Sequence, residues 1–282
     1  MPTDSTIDPL LCEAISRLTR TFRGEIWEDD AGIPLVQDAA SNGRPFDITT
    51  CHYWKEPLRV ANLATTRRLY LTAANQIGKT LACELIARHR VKHDPGHMVL
   101  YDMTIEAAED HGKTRFIPFL RSIPGISRII DQVEAENRFN VTTTDIQLPG
   151  MILRVRPLNE ANTQRITVRY IFIHDAALAE KNGQLRRAII RARAFEGQEL
   201  IVMESQGGIE GDDYSELANK TSTNADLWVR CPLCDGEQKF AWHAERPEDF
   251  KARPPKSVPS LDHEAWANHH TPLLLKPENI HA

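Results

Sequence analysis

One short segment of the chain combines the residue types that bind phosphate. Residues 73–80 read Ala-Ala-Asn-Gln-Ile-Gly-Lys-Thr, an A-x-x-x-x-G-K-T pattern in which Ala73 stands where the common phosphate-binding loop has glycine. A compact apolar strand is predicted at 69–72, and a helix is predicted after the segment. Backbone N–H groups of such a loop, at a helix N-terminus, surround phosphate oxygens. The pattern therefore predicts a nucleotide-binding loop.

Each residue of this loop has an expected task. Lys79 reaches the β- and γ-phosphate oxygens and Thr80 ligates Mg²⁺, so the implied cofactors are ATP and Mg²⁺. The loop backbone supplies the other phosphate contacts, through Ala74, Asn75, Gln76, Ile77 and Gly78. The alternative is an ordinary strand-to-helix turn with an exposed lysine, because short motifs also match by chance.

An acidic residue is expected at the end of a neighbouring apolar strand, where it would hold the metal ion through water. The segment 170–175, Tyr-Ile-Phe-Ile-His-Asp, supplies Asp175. Most such enzymes carry a glutamate at the next position, which orients the attacking water, and here that position is Ala176. Slow hydrolysis is the expected result, unless Glu180 substitutes. A helix N-cap is the structural alternative for Asp175.

Two further segments contain candidate residues. Ser205 and Gln206 end the fourth predicted strand, where they could sense the γ-phosphate; a polar turn is the alternative. Cys231 and Cys234 have the spacing of a zinc knuckle, but a tetrahedral Zn²⁺ site needs four ligands. A reduced cysteine pair on a turn is the alternative here. The candidates for the missing ligands are His243, His263, His269 and His270.

The predicted elements that position these residues alternate along the chain. Strands are predicted at 69–72, 98–101, 168–173 and 200–203, with a hairpin over 141–155 and helices between. Alternating strands and helices predict an α/β fold with a mainly parallel sheet flanked by helices, of the P-loop NTPase type (ASCE/RecA-like), with a small Cys-containing C-terminal element. Ligands of such sheets bind at the carboxyl ends of the strands.

Composition limits the partners and the setting. The 282 residues carry a formal net charge of −5, which excludes DNA binding by bulk charge, so any DNA contact needs a local basic patch. A secretory signal and a membrane-spanning apolar stretch are both missing from the sequence, and five cysteines are an odd total, so a cytoplasmic protein is expected. The predicted organisation is an N-terminal helical and irregular segment at 1–50, an ATPase domain at 51–225, the cysteine element at 226–250 and a tail at 251–282.

The order of several short motifs resembles the large subunit of tailed-phage terminases, of the lambda-like GpA type. The likeness covers most of residues 45–242. It rests on residues 45–47 (PFD), 54–57 (WKEP), 75–80 (NQIGKT), 106–110 (EAAED), 147–150 (QLPG), 187–195 (RAIIRARAF), 205–211 (SQGGIEG) and 231–234 (CPLC).

The resemblance implies an ATP-driven motor that translocates double-stranded viral DNA into an empty procapsid, in the cytoplasm of the bacterial host. The implied partners are DNA, the terminase small subunit and the portal protein, and the implied active form is a homo-oligomer. Because the chain stops fewer than fifty residues after the cysteine pair, a nuclease domain and nuclease activity are not expected. The rival interpretation is a degenerate, prophage-derived nucleotide-binding or assembly module without efficient hydrolysis.

Two positions depart from the terminase pattern. Asn75 stands where many terminases carry an arginine. Ala176 replaces the catalytic glutamate if Asp175 is the metal-side aspartate. A shift of one residue instead puts His174 in place of that aspartate and makes Asp175 the water-orienting carboxylate, and the sequence leaves both registers open.

Overall fold

The computed structural model describes residues 24–28, 46–164, 166–179, 183–207 and 211–221, and beyond these residues 223, 225, 228–230, 237–239 and 252–253. The chain divides into two compact units, with the boundary between Thr221 and Ser222. Most of the N-terminal segment predicted at 1–50 lies outside the described residues, as do Glu180, Cys231, Cys234 and the histidines from His243 onward. The predicted domain limits at residues 50, 225 and 250 stay predictions.

The first half of the larger unit contains the phosphate-binding segment. Its elements are a 3₁₀ turn (His52–Trp54), α1 (Lys55–Asn62), β1 (Arg68–Thr72), α2 (Lys79–His93), β2 (Met98–Asp102), α3 (Ile105–Asp110), a π-helical segment (His111–Phe116), α4 (Ile117–Arg121) and α5 (Pro124–Glu136). The segment at 73–78 connects β1 directly to α2, as predicted from its flanking residues.

The second half begins with a hairpin. Its elements are a 3₁₀ turn (Arg138–Asn140), β3 (Asp145–Leu148), β4 (Met151–Pro157), α6 (Glu160–Gln164), β5 (Tyr170–Ile173), a 3₁₀ turn (Ala176–Leu178), α7 (Gln184–Ile190), a 3₁₀ turn (Arg193–Phe195), β6 (Leu200–Ser205) and α8 (Asp213–Asn219). The predicted turn at Pro149 and Gly150 joins β3 to β4, with Gly150 at a φ of 77° that favours glycine.

Six strands form one sheet in the order β1-β6-β5-β2-β4-β3. All neighbouring pairs are parallel except β3 with β4. The mainly parallel α/β sheet with flanking helices is therefore confirmed. Because β6 lies between β1 and β5, the carboxyl ends of these three strands meet at one edge, with Thr72 paired to Ser205 and Ile173 paired to Met203.

Apolar side chains cover both faces of the sheet, which is why β2 and β5 are apolar without alternation. One face contributes Leu100, Phe172 and Val202 to a core that includes Leu85 and Ile86 of α2. The side chains that alternate with these point to the other face and join a second core with α7. That second core includes Val99, Tyr101, Ile171, Ile173, Ile201, Met203, Leu185 and Ala188.

A proline inside a helix usually interrupts it, and Pro118 lies within a long helical stretch. The structure instead continues from α3 through the π-helical segment into α4, with Pro118 in the first turn of α4. A proline is tolerated there because its missing N–H would lack a partner in a first turn. The wider π turn also brings Gly112 against the hairpin, where a Cβ atom would lie 2.0 Å from the Thr143 carbonyl oxygen.

We expect Gly112→Ala to destabilise the larger unit by about 1–3 kcal/mol or more, because the added methyl group must displace a backbone carbonyl. The matched control is Gly125→Ala in α5, whose Cβ would meet no atom within 4 Å. That change should be neutral or stabilising, since alanine favours helix over glycine. Urea unfolding of both variants measures the difference; equal unfolding midpoints would show that the π segment yields freely at this contact.

The smaller unit contains a three-stranded antiparallel sheet in the order β7-β8-β9. Its strands are β7 (Trp228–Arg230), β8 (Glu237–Lys239) and β9 (Ala252–Arg253). Within the described part of the chain, no helix is long and apolar enough to cross a membrane.

Candidate active site

The loop between β1 and α2 has the backbone shape of an anion-binding loop. Gln76 has a φ of 61° and Gly78 a φ of 85°, both in the left-handed region, and α2 begins at Lys79. Left-handed residues next to a helix N-terminus turn successive backbone N–H groups toward one concave side, which suits a polyphosphate. Glycine is favoured at residue 78 because it adopts a positive φ without steric strain.

Lys79 lies inside this loop and is only 7% exposed. Its Nζ donates a hydrogen bond to the carbonyl oxygen of Ala74 at 2.8 Å. The alternative interpretation, an ordinary turn with an exposed lysine, does not fit this burial. The ammonium group is instead held at the loop, where it can offer charge to phosphate oxygens.

Two aromatic residues before α1 fix the far end of the loop. Trp54 Nε1 donates to the carbonyl oxygen of Ile77 at 2.7 Å, and the Tyr53 hydroxyl donates to the same oxygen at 3.2 Å. The motif at 54–57 thus has a physical role: it anchors the residue that precedes Gly78. Anchoring this carbonyl restricts the loop before any ligand binds, which lowers the entropy cost of binding.

Sequence reasoning missed the residue that contacts Thr80. The Thr80 hydroxyl donates to Glu204 Oε1 at 3.1 Å, and Glu204 lies on β6 with 1% exposure. Its second oxygen, Oε2, is buried without a hydrogen-bond partner among the described residues. The only signal in the sequence was an acidic residue inside the apolar run 200–204, which is unusual because buried carboxylates need partners.

His174 is the second partner of this carboxylate. Its Nδ1 lies 3.3 Å from Glu204 Oε1, and the ring is 3% exposed. Burial alone would raise the pKa of Glu204, but the hydrogen bond and charge of His174, with Lys79 and Thr80, outweigh burial and lower it. Glu204 is therefore kept as a carboxylate beside Thr80.

A second cluster of charged side chains, centred on His111, lies behind His174. His111 Nδ1 is 2.9 Å from Asp102 Oδ2 and His111 Nε2 is 3.0 Å from Glu84 Oε1, while Arg115 also donates to Glu84. Burial opposes protonation of His111, but the two carboxylate contacts outweigh it and raise the pKa of His111 to about 9. Burial would raise the pKa of Glu84, but the hydrogen bonds and charges of His111 and Arg115 outweigh it and lower the pKa.

Asp175 follows β5 directly, in the left-handed conformation at a φ of 49° and a ψ of 41°. Its side chain makes no capping hydrogen bond to the 3₁₀ turn that follows, so the N-cap alternative is not supported. Burial, and next the charge of Glu204, raise the pKa of Asp175. A non-glycine residue in this conformation at a strand end is a common feature of functional sites.

Ala176 is 1% exposed and belongs to the second core, beside Leu185 and Met203. A glutamate at this position would bury its carboxylate in an apolar environment. Of the two registers left open by the sequence, we therefore infer the one in which Asp175 takes the water-orienting position and His174 stands where the metal-side aspartate would otherwise be.

The expected phosphate sensors separate in the structure. Ser205 is 2% exposed; its Oγ accepts a hydrogen bond from the Ala177 amide at 3.0 Å, and its carbonyl oxygen accepts one from Ala73 at 3.1 Å. Gln206, the next residue, is exposed. Ser205 therefore ties the start of the loop to the turn after Asp175, which is a structural link between the two halves of the site.

The donor set fits a magnesium nucleotide. A threonine hydroxyl, a buried carboxylate with an unused oxygen and a half-exposed aspartate are hard oxygen ligands, which Mg²⁺ prefers. Lys79 and the loop amides add positive potential beside them. The residues brought together at this edge are Lys79, Thr80, Asp175, Glu204 and Ser205; Cys231 and Cys234 are outside the described residues.

Comparison with known proteins identifies the family of this chain. Residues 40–260 match the family model described as phage terminase large subunit gpA, ATPase domain. No curated protein sequence matches the chain.

Solved structures of phage terminases share the fold. The large terminase of bacteriophage HK97 matches with a TM-score of 0.56 and 15% identity over 70% of this chain, which spans 41% of that terminase. A mutant of the large terminase ATPase domain of Thermus phage P74-26 matches with a TM-score of 0.43 and 11% identity over 85% of this chain and 92% of that one. Of these two structures, the HK97 terminase is the one whose similarity supports the fold assignment. Because the family model covers most of the sequence, the chain belongs to the phage terminase large subunit gpA family, in its ATPase domain.

Proposed function

We propose that this chain hydrolyses ATP with Mg²⁺ and supplies the motor activity that moves double-stranded viral DNA into a procapsid. The observation that carries the proposal is the meeting of Lys79, Thr80, Glu204 and Asp175 at one sheet edge. Membership of the terminase ATPase family supports the same activity. The degenerate-module interpretation drew in part on Ala176; the burial of Ala176 in the second core supports Asp175, rather than residue 176, as the catalytic position.

Each side chain has a defined part in this proposal. The loop amides and Lys79 bind the β- and γ-phosphates, and Thr80 with Glu204 forms the oxygen-donor pair for Mg²⁺. When bound, Mg²⁺ would neutralise charge on the phosphate oxygens. Asp175 orients the attacking water and accepts its proton, and a raised carboxyl pKa suits that task.

The partners follow from the family rather than from a site in the structure. We propose DNA, the terminase small subunit and the portal protein as partners, a homo-oligomer as the active form, and the host cytoplasm as the setting. Zinc at Cys231 and Cys234, completed by histidines or by a partner chain, stays a proposal for the smaller unit.

Nucleotide binding tests the first step of the proposal. Lys79→Ala should weaken binding of ATP with Mg²⁺ about tenfold or more without unfolding the domain, because it removes the charged donor held at the loop. Lys92→Ala, at the other end of α2, is the matched control and should leave the affinity unchanged. Titration calorimetry compares the three proteins, and equal affinity in all of them would show that the loop assignment is wrong.

A further inference from the structure

Three buried side chains from different elements meet behind the candidate active site. Asp102 ends β2, His111 opens the π-helical segment, and His174 follows β5. One ligand atom of each lies within 4.8 Å of those of the other two. Their exposed fractions are 9%, 6% and 3%, so all three side chains are buried.

Each histidine is oriented by a carboxylate on its other nitrogen. His111 Nε2 lies 3.0 Å from Glu84 Oε1, and His174 Nδ1 lies 3.3 Å from Glu204 Oε1. This pattern recurs in metal sites, where a carboxylate accepts the N–H of an imidazole and turns its opposite nitrogen toward the ion. The opposite nitrogen of His111, Nδ1, faces Asp102 Oδ2 at 2.9 Å.

The opposite nitrogen of His174 has no use in the active site. His174 Nε2 is buried and has no hydrogen-bond partner among the described residues, although its ring lies 4.8 Å from that of His111. A buried polar atom without a partner destabilises the fold, and a ligand at this position would offset that loss. The unpartnered nitrogen thus indicates that something binds beside it.

We propose that Asp102, His111 and His174 bind one divalent transition-metal ion, with Zn²⁺ as the preferred metal. Two imidazole nitrogens and one carboxylate, with a water molecule as the fourth ligand, suit Zn²⁺, whereas Mg²⁺ prefers oxygen donors throughout. The proposed Zn²⁺ site is separate from the magnesium position at Thr80. Nε2 of His174 belongs to the Zn²⁺ site, whereas Nδ1 of the same ring contacts Glu204, the partner of Thr80. On binding, the proton shared by His111 Nδ1 and Asp102 leaves to solvent, and the metal takes its place.

Such an ion would join β2, β5 and the helix that contains the π-helical segment at one point. It would fix the end of β5 and thereby the backbone of Asp175, the next residue. The proposed Zn²⁺ site does not depend on nucleotide hydrolysis, so it can be tested without ATP or Mg²⁺.

Cobalt is the direct probe, because Co²⁺ replaces Zn²⁺ and absorbs visible light according to its ligands. The full chain with Cys231→Ser and Cys234→Ser, which removes the two candidate thiolate ligands, is titrated with Co²⁺ without nucleotide. We expect absorption that saturates at one Co²⁺ per chain and disappears when Zn²⁺ is added. Adding His174→Ala should abolish it, whereas His52→Ala, a change at an exposed histidine, should leave it unchanged.

Histidine nitrogen NMR of the same chain keeps the proposal testable even where His174→Ala disturbs folding. Stoichiometric Zn²⁺ should shift the imidazole nitrogens of His111 and His174 and raise the melting temperature by about 5–10 °C at a hundredfold excess over Kd. Unshifted nitrogens, or a Co²⁺ signal that His174→Ala leaves intact, would overturn the proposal.

Discussion

Asp175→Asn is expected to lower kcat for ATP hydrolysis about 10²–10⁴-fold while leaving the affinity for ATP nearly unchanged. The expectation follows from the half-buried position of Asp175 at the end of β5, where its raised carboxyl pKa suits a group that orients water and takes up a proton. An amide keeps the shape of the side chain but cannot accept the proton. Steady-state hydrolysis together with calorimetric ATP binding separates the two effects.

Ala176→Glu is the informative control for this assignment. If Ala176 marked a missing catalytic carboxylate, the change would raise kcat. We expect instead that it destabilises the domain by about 3 kcal/mol or more, because residue 176 is 1% exposed within the second core. A folded Ala176→Glu protein with faster hydrolysis would restore the other register, with Asp175 on the metal side.

The phosphate-binding part of the site could be predicted because it is local in sequence. The spacing of Gly78, Lys79 and Thr80 between a strand and a helix determines their relative positions, and the structure places them as expected. The parallel strands were predictable for a related reason, since residues buried on both faces of a sheet give apolar runs such as 170–173. The hairpin turn at Pro149 and Gly150 was readable from its residue types.

The rest of the site depends on contacts between distant residues. Glu204 lies 124 residues from Thr80, and its role appears only once β6 is placed between β1 and β5. The π-helical segment, which brings His111 between Glu84 and Asp102, has no pattern that distinguishes it from an ordinary helix. The burial of Ala176 was equally hidden, because alanine occurs both on surfaces and in cores.

Glu204→Gln is expected to weaken Mg²⁺ binding in the nucleotide complex about 10–100-fold, the usual effect of altering a metal ligand or its immediate support. The Thr80 hydroxyl would keep an oxygen partner, since the amide can still accept a hydrogen bond. What is lost is the negative charge, which His174 and Lys79 favour in the wild-type chain by lowering the pKa of Glu204. Mn²⁺ binding to the nucleotide complex, followed by electron paramagnetic resonance, measures the affinity without relying on turnover.

Glu216→Gln provides the matched control, because Glu216 is an exposed glutamate on α8 that pairs with Arg186 at 3.0 Å. Glu216→Gln should leave Mn²⁺ affinity unchanged.

A sharper test combines His174→Asp with Glu204→Gln, which moves the carboxylate from β6 to the end of β5. If Glu204 supplies the carboxylate that residue 174 lacks, the double variant should recover part of the lost Mn²⁺ affinity. His174→Asp alone should place two carboxylates next to each other and destabilise the fold. Wild-type Mn²⁺ affinity in Glu204→Gln would show instead that Asp175 and Thr80 suffice, and that Glu204 serves only to order the threonine.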